Sequence, residues 1–343
     1  MSRIDTLTQF LTEAGTRFEI YDLGRQLRPL PLEQFQRIEQ QHEPYPWPLQ
    51  QKAWLAVHFH QSEGKHFLWF LRFALDEQGL LMSAGPKQFM ELVVETLGYQ
   101  LTGELDESKA DKLASNPWTF RPAEAKMASL HARLARQLGQ EPSAFFAPLC
   151  HYLTQPATLP WQQLGVQGFS DLAERIDDPT LLALVCKSLP TLPEPVLCAL
   201  CQALEAVPLP PALQGALLER LGREQERTEA NNETIAHLCR AHASCGPQPL
   251  RRAKLLTLLQ TRPDPALLLA IAGRLAGDLD DEGLLDTYLE TLAQTDISLF
   301  ASLFGELVMQ PRLRAPLLGK LRDPNRSAAL SQAIGHLFKA AQA

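Results

Sequence analysis

Trp54–Gln61 reads WLAVHFHQ and His66–Asp76 reads HFLWFLRFALD, with Ser62-Glu63-Gly64-Lys65 between them. Both runs are rich in aromatic and branched side chains, and the joining residues are polar and contain glycine, which predicts a β-hairpin. Side chains of a strand alternate between faces. Leu55, Val57 and Phe59 therefore share one face of the first run, and Trp54, Ala56, His58 and His60 the other. On the second run Phe67, Trp69, Leu71, Phe73 and Leu75 lie together, opposite Leu68, Phe70, Arg72 and Ala74. Both faces carry apolar residues, so the hairpin belongs inside a sheet that helices cover on at least one side.

The flanking sequence supplies those helices and another strand. Ile4, Leu7, Phe10, Leu11 and Ala14 recur at helical spacing, and Gly15 is placed to end the helix. Thr16–Leu23 alternates and reads as a strand, and Gly24 permits a turn. Pro31–Gln40 reads as a short helix entered at proline. Pro44-Tyr45-Pro46-Trp47-Pro48 is too proline-dense for helix or ladder and reads as an extended connector. Asp76-Glu77-Gln78-Gly79 is a second turn, and the pattern becomes helical from Lys87, again at Glu124–Leu138 and at Pro142–Tyr152. An α+β domain over residues 1–105 and a helical connector over 106–177 are expected.

Twenty-one of the 25 aromatic residues lie at or before Phe169. Beyond it the core must be built from Leu and Ala, in short segments cut by proline, glycine and Asp-Pro. Helix starts are expected near Pro179, Pro193, Pro210, Thr228, Pro247, Asp264, Glu282, Asp296, Pro311 and Asn325. At Asp178-Pro179, Asp264-Pro265 and Asp323-Pro324 the aspartate can cap a helix whose first turn holds the proline. Two helices per unit give a period of roughly 30 to 37 residues, within the range of helical repeats. In pattern, residues 178–343 resemble HEAT-like or armadillo-like arrays; an irregular helical bundle is the alternative.

With 343 residues, 45% hydrophobic and 21% charged, the chain has the composition of a globular protein. The net charge of −7 disfavours a general nucleic-acid binder. No stretch approaches about 18 uninterrupted apolar residues, and the start Met1-Ser2-Arg3-Ile4-Asp5-Thr6 lacks a signal-peptide layout. A cytoplasmic location is expected, with the six cysteines reduced.

Several front motifs resemble those of an uncharacterised bacterial protein family, a domain of unknown function. They are Phe18-Glu19-Ile20-Tyr21-Asp22-Leu23-Gly24-Arg25, Pro44-Tyr45-Pro46-Trp47-Pro48-Leu49-Gln50-Gln51, Ala53-Trp54-Leu55-Ala56 and Trp69-Phe70-Leu71-Arg72-Phe73. The resemblance implies no activity.

Two sets of residues could hold a metal. His58 and His60 share a strand face about 7 Å apart at the backbone, with His66 across the loop and Glu63 or Asp76 as a further ligand. Cys198 and Cys201, with His237, Cys239, His242 and Cys245, have spacings that fit zinc on helices. Against the first stands a polar sheet face with packed histidines; against the second, small fillers in an apolar helix stripe. No nucleophile elbow, Walker loop, HExxH or GxGxxG occurs, and no cofactor is expected. Arg25, Tyr45, Trp47, Trp54 and Arg72 are the candidates for binding a partner, because aromatic residues and arginine dominate interface hot spots. Core packing is the competing role for each. An acidic stretch (Asp278, Asp280, Asp281, Glu282, Asp286, Glu290) and a basic one (Arg312, Arg314, Lys320, Arg322, Arg326) are either neutralising neighbours or a charged docking face. The expected function is a non-catalytic adaptor that binds a protein or peptide in a groove between sheet domain and array. The alternatives are a metal-dependent or small-molecule enzyme using the hairpin histidines, and a nucleic-acid-binding helical-repeat protein.

Overall fold

A computed structural model describes residues 4–61, 65–98, 107–156, 159–229 and 231–340. The chain divides into two compact units, the first running to Pro122 and including Met309–Pro311, the second formed by Ala123–Val308 and the residues from Arg312 onward.

The first unit is built on an antiparallel sheet of order β2-β1-β3-β4, formed by β1 (Arg17–Asp22), β2 (Arg28–Leu30), β3 (Lys52–His60) and β4 (His66–Ala74). The hairpin is β3–β4, and its register sets Leu55 against Leu71, Val57 against Trp69 and Phe59 against Phe67. These inward residues, with Ile20 and Leu30, meet Leu7, Phe10 and Leu11 of α1 (Leu7–Glu13) and Phe35 and Ile38 of α2 (Leu32–Glu39). Phe89, Met90 and Val93 of α3 (Ala84–Leu97) complete the core. Trp69 lies edge-on to Phe89 with ring centres 5.3 Å apart. A short helix, α4 (Glu107–Ala114), follows.

Three features of this unit were not read from the sequence. Strand β2 pairs Leu30 with Ile20, and its Pro29 sits where an edge strand tolerates a missing N–H. A tight turn at Gln50-Gln51, both with positive φ (53° and 54°), joins Leu49 and Lys52 by a reciprocal pair of 3.1 Å backbone hydrogen bonds. The stretch 117–120 runs alongside β4, where Arg72 N–H donates to the Trp118 carbonyl (2.7 Å) and Phe120 N–H to the Phe70 carbonyl (3.2 Å). That pairing lays Phe120 over Trp54 and Phe70 on the sheet's other face.

The second unit is helical. Its helices are α5 (Glu124–Gln137), α6 (Phe146–Thr154), α7 (Val166–Glu174), α8 (Pro179–Ser188), α9 (Glu194–Leu204), α10 (Pro211–Glu226), α11 (Asn232–Arg240), α12 (Pro249–Thr261), α13 (Pro265–Arg274), α14 (Glu282–Thr295), α15 (Ile297–Val308), α16 (Pro311–Lys320) and α17 (Ala328–Ala340). They form two layers. One runs α5, α7, α9, α11, α13, α15, each helix packed on the next; the other runs α6, α8, α10, α12, α14, α17. Each helix is too short to hide its apolar stripe alone, so stacking on the second-next helix and on the facing layer buries it. The core is correspondingly leucine-rich, with Leu197, Leu200, Leu213, Leu217, Leu238, Leu258, Leu268 and Leu292 all inaccessible.

Asp178 caps α8 by accepting from Thr180 and Leu181 N–H, and Asp264 caps α13 by accepting from Ala266 N–H. Asp323 differs: it accepts from Asn325 N–H at 2.8 Å, but the chain turns there and α17 starts only at Ala328, where the Ser327 hydroxyl accepts from Leu330 N–H.

Candidate functional site

Side chains of β1, β3 and β4 that point away from the helical core make a polar row on the first unit. The register places Glu19 opposite His58 and His60 opposite His66. Tyr21 O–H donates to Glu19 Oε2 at 2.6 Å, and that same oxygen lies 3.8 Å from His58 Nδ1. His58 Nε2 and His66 Nδ1 share a hydrogen bond of 2.9 Å, and the His60 ring lies 4.7 Å from that of His66. His58 is buried and His66 exposed. Burial first, then the adjacent His66, lowers the His58 pKa, so the inner imidazole is neutral near pH 7. The row can share a proton between two imidazoles and expose the outer ring to solvent.

Its two central nitrogens face each other in a hydrogen bond. Among the described residues no group of three or more His, Cys, Asp or Glu side chains is arranged to hold a metal ion. Glu63, one of the carboxylates considered as a further ligand, lies outside the described residues.

The five residues considered for partner binding fall into separate places. Tyr45 is wholly buried, and its O–H donates to Oδ1 of the equally buried Asp22 at 2.5 Å. Burial, then the Asp22 charge, pushes its phenol pKa well above the usual value. Trp47 is half-buried, edge-on to Tyr45 at 6.4 Å, and the cation over its ring is Arg28, 5.1 Å from the centroid. Arg25 is half-buried in the β1–β2 connection. Trp54 donates its indole N–H to the Leu49 carbonyl (2.9 Å) and meets Phe120 edge-on at 4.8 Å. The Arg72 guanidinium lies 6.0 Å from the Trp54 centroid and donates from Nε to the Pro117 carbonyl. Tyr45 and Trp47 thus adjoin each other, as do Trp54 and Arg72. Glu19, Asp22, Arg28 and Phe120 are the neighbours that spacing alone did not nominate.

In the second unit, buried and half-buried arginines pin successive helices. Arg133 of α5 pairs with Glu174 of α7 (2.9 Å) and donates to the Ala206 carbonyl (2.5 Å). Glu205, just past α9, receives Arg240 of α11 (2.7 Å) and Arg274 of α13 (2.6 Å). Arg220 of α10 pairs with Glu224 and donates to the Leu189 carbonyl, and Arg251 of α12 pairs with Asp278 at 2.7 Å. The acidic and basic stretches partly neutralise each other: Lys320 of α16 bridges Glu282 (3.0 Å) and Asp286 (2.7 Å) of α14.

The cysteine–histidine set is spread through this packing. Cys201 and Cys239 are buried, and burial raises both thiol pKa values, that of Cys239 to about 12. Cys198 contacts the Thr234 hydroxyl at 3.7 Å. His242 sets its ring nitrogens against the Leu238 and Gln214 carbonyls, and burial lowers its pKa. His237 is half-buried, Cys245 is partly exposed, and all six cysteines are free.

One feature escaped the sequence reading altogether. Phe145, Trp161 and Val166 are exposed large hydrophobics in a single stretch, at 51%, 39% and 38% accessibility. Phe145 is held by close packing: a Cβ on Gly165 would lie 2.6 Å from its ring, and one on Gly168 would lie 2.4 Å from its carbonyl oxygen. Aromatics near Gly165-Val-Gln-Gly168 were the available signal, but exposure of a phenylalanine is not visible in spacing.

No curated protein and no solved structure matches the chain. A family model described as "Protein of unknown function (DUF3549)" matches residues 2–338, nearly the whole length, and the chain belongs to that family.

Proposed function

We propose that this protein is a non-catalytic adaptor of the cytoplasm, whose helical array docks a protein or peptide partner. The observation that carries the reading is the exposure of Phe145 at the start of α6, of Trp161 in the α6–α7 connection and of Val166 at the start of α7. Rigid, solvent-facing aromatic side chains are the residues from which binding hot spots are made. Phe145 is fixed against Gly165 and Gly168, so little side-chain freedom is lost when a partner covers it. The arginine-pinned layers supply the stiffness that a docking frame requires. Helices packed two apart in two layers fit a HEAT-like repeat assignment. Six free thiols suit a reducing compartment, and no described helix is long and apolar enough to cross a membrane.

The test is affinity purification from native cells with the full chain and with a Phe145→Ala/Trp161→Ala variant. Truncating a hot-spot residue costs about 2 kcal/mol or more, close to thirtyfold in affinity. A stoichiometric partner is expected with the native chain and is lost with a variant of unchanged melting temperature. Recovery of no partner, or of the same partner by both chains, overturns the proposal.

A further inference from the structure

Between α10 and α12 lies an open cleft of about 470 Å³, lined by Gly222, Gln225 and Glu226 from one side and by Lys254, Thr257, Thr261 and Arg262 from the other. Its two cations differ from several other partly buried ones of the array. Arg240, Arg251, Arg274 and Lys320 are each held by a carboxylate. Among the described residues neither Lys254 nor Arg262 has such a partner, and Arg262 Nη1 is buried without any hydrogen bond. A buried guanidinium N–H without an acceptor is costly, and an anion in the cleft would supply one. Gly222 lines the floor, where a Cβ would lie 3.4 Å from Lys254 Nζ, in ordinary contact with the tip of that side chain.

The remaining lining narrows the chemistry. The Thr257 hydroxyl donates to the Ala253 carbonyl (3.0 Å) and the Thr261 hydroxyl to the Thr257 carbonyl (2.7 Å). Their donor capacity is used; the Thr257 oxygen is left as an acceptor, and the Thr261 oxygen, which the Gln225 amide reaches at 3.5 Å, keeps a second lone pair. Glu226, exposed at the rim, is a further acceptor. The cleft therefore offers two cations for an anionic group and several acceptors for hydroxyls. Among the described residues its lining has no aromatic platform for a base and no branched aliphatic wall for a lipid chain.

The geometry points to a binding site for a small phosphate ester of a polyhydroxy compound, a sugar phosphate in class. The phosphate sits with Lys254 and Arg262, and the hydroxyls sit against Thr257, Thr261 and Glu226. This inference is independent of the partner surface at Phe145.

Calorimetric titration of the full chain with glucose 6-phosphate tests it, with glucose and inorganic phosphate as comparison probes. Glucose 6-phosphate is expected to bind, inorganic phosphate to bind roughly tenfold more weakly for want of the hydroxyl contacts, and glucose to give no heat. Lys254→Ala and Arg262→Ala should each weaken binding about tenfold or more, because each removes a charge-assisted contact. Neither side chain holds a carboxylate, so both variants should keep the native melting temperature. Absence of binding at millimolar glucose 6-phosphate, or binding unaltered in both charge variants, overturns the site. Equal affinity for inorganic phosphate overturns the polyol assignment.

Discussion

Glu39 illustrates how one residue couples two elements through its charge. It ends α2, and its carboxylate closes the start of α1 by accepting from Leu7 N–H (2.7 Å) and the Thr8 hydroxyl (2.6 Å). Burial raises its pKa from 4.5 to about 7, with the Thr8 hydroxyl and the Leu7 and Thr8 amides pulling the other way. The folded chain thus keeps a proton that the unfolded chain releases between 4.5 and about 7. Folding becomes less favourable as pH rises through that window, and the loss is complete above it. Glu39→Gln cannot ionise but keeps one amide oxygen as acceptor. Urea unfolding followed by tryptophan fluorescence should show the native midpoint falling between about pH 5 and about pH 8, and that of the variant falling less. Equal slopes would mean that the amides already stabilise the ionised carboxylate. Tyr45 is a candidate for partner binding by residue type, but Asp22 at the end of β1 gives its hydroxyl a buried partner, and no spacing rule links residues 22 and 45.

At the scale of elements, two glycines that look alike in sequence are predicted to respond oppositely to alanine. Gly168 lies in α7, where a Cβ would meet the Phe145 carbonyl oxygen at 2.4 Å, a backbone atom that cannot swing away. Gly168→Ala should cost about 1–3 kcal/mol as overpacking. Gly215 lies within α10 with nothing inside 4 Å, so Gly215→Ala should stabilise by up to about 1 kcal/mol through helix propensity. Thermal unfolding monitored by circular dichroism separates the two, and a shared sign would refute the steric account. Helices of the second unit were legible because proline and capping aspartate mark starts such as Pro179 and Pro265. The β3–β4 hairpin was legible from its alternation. Strand β2 was not, since three residues are too few to show a period, and Gln50-Gln51 carries none of the glycine or asparagine that a positive-φ turn favours. The same limit hid the aromatic site near α7, which depends on exposure, while His58, His60 and His66 were found because strand period and hairpin register bring them together.

Over the whole molecule, the break in aromatic composition after Phe169 separates two ways of making a core. The first unit packs large rings such as Phe59, Trp69 and Phe89 between one sheet face and three helices. The second buries leucine between two helical layers, and polar clamps such as Arg251–Asp278 join neighbouring helices. In such an array stability is close to a sum of nearest-neighbour terms, so a broken clamp acts locally. Arg251 and Asp278 are both almost inaccessible; removing Arg251 leaves the buried carboxylate with Arg252 alone at 3.5 Å, which costs up to about 3 kcal/mol. Four of the five tryptophans (Trp47, Trp54, Trp69 and Trp118) report on the first unit and Trp161 on the second, so fluorescence is read in a Trp161→Phe background; most helical signal comes from the second unit. Arg251→Ala should therefore move the circular-dichroism transition in urea to lower concentration while the tryptophan transition stays nearly fixed. Glu39→Gln should act on the fluorescence transition instead. Coincident movement of both signals in both variants would show that the two cores unfold as one, and that the change of packing after Phe169 is not an energetic boundary.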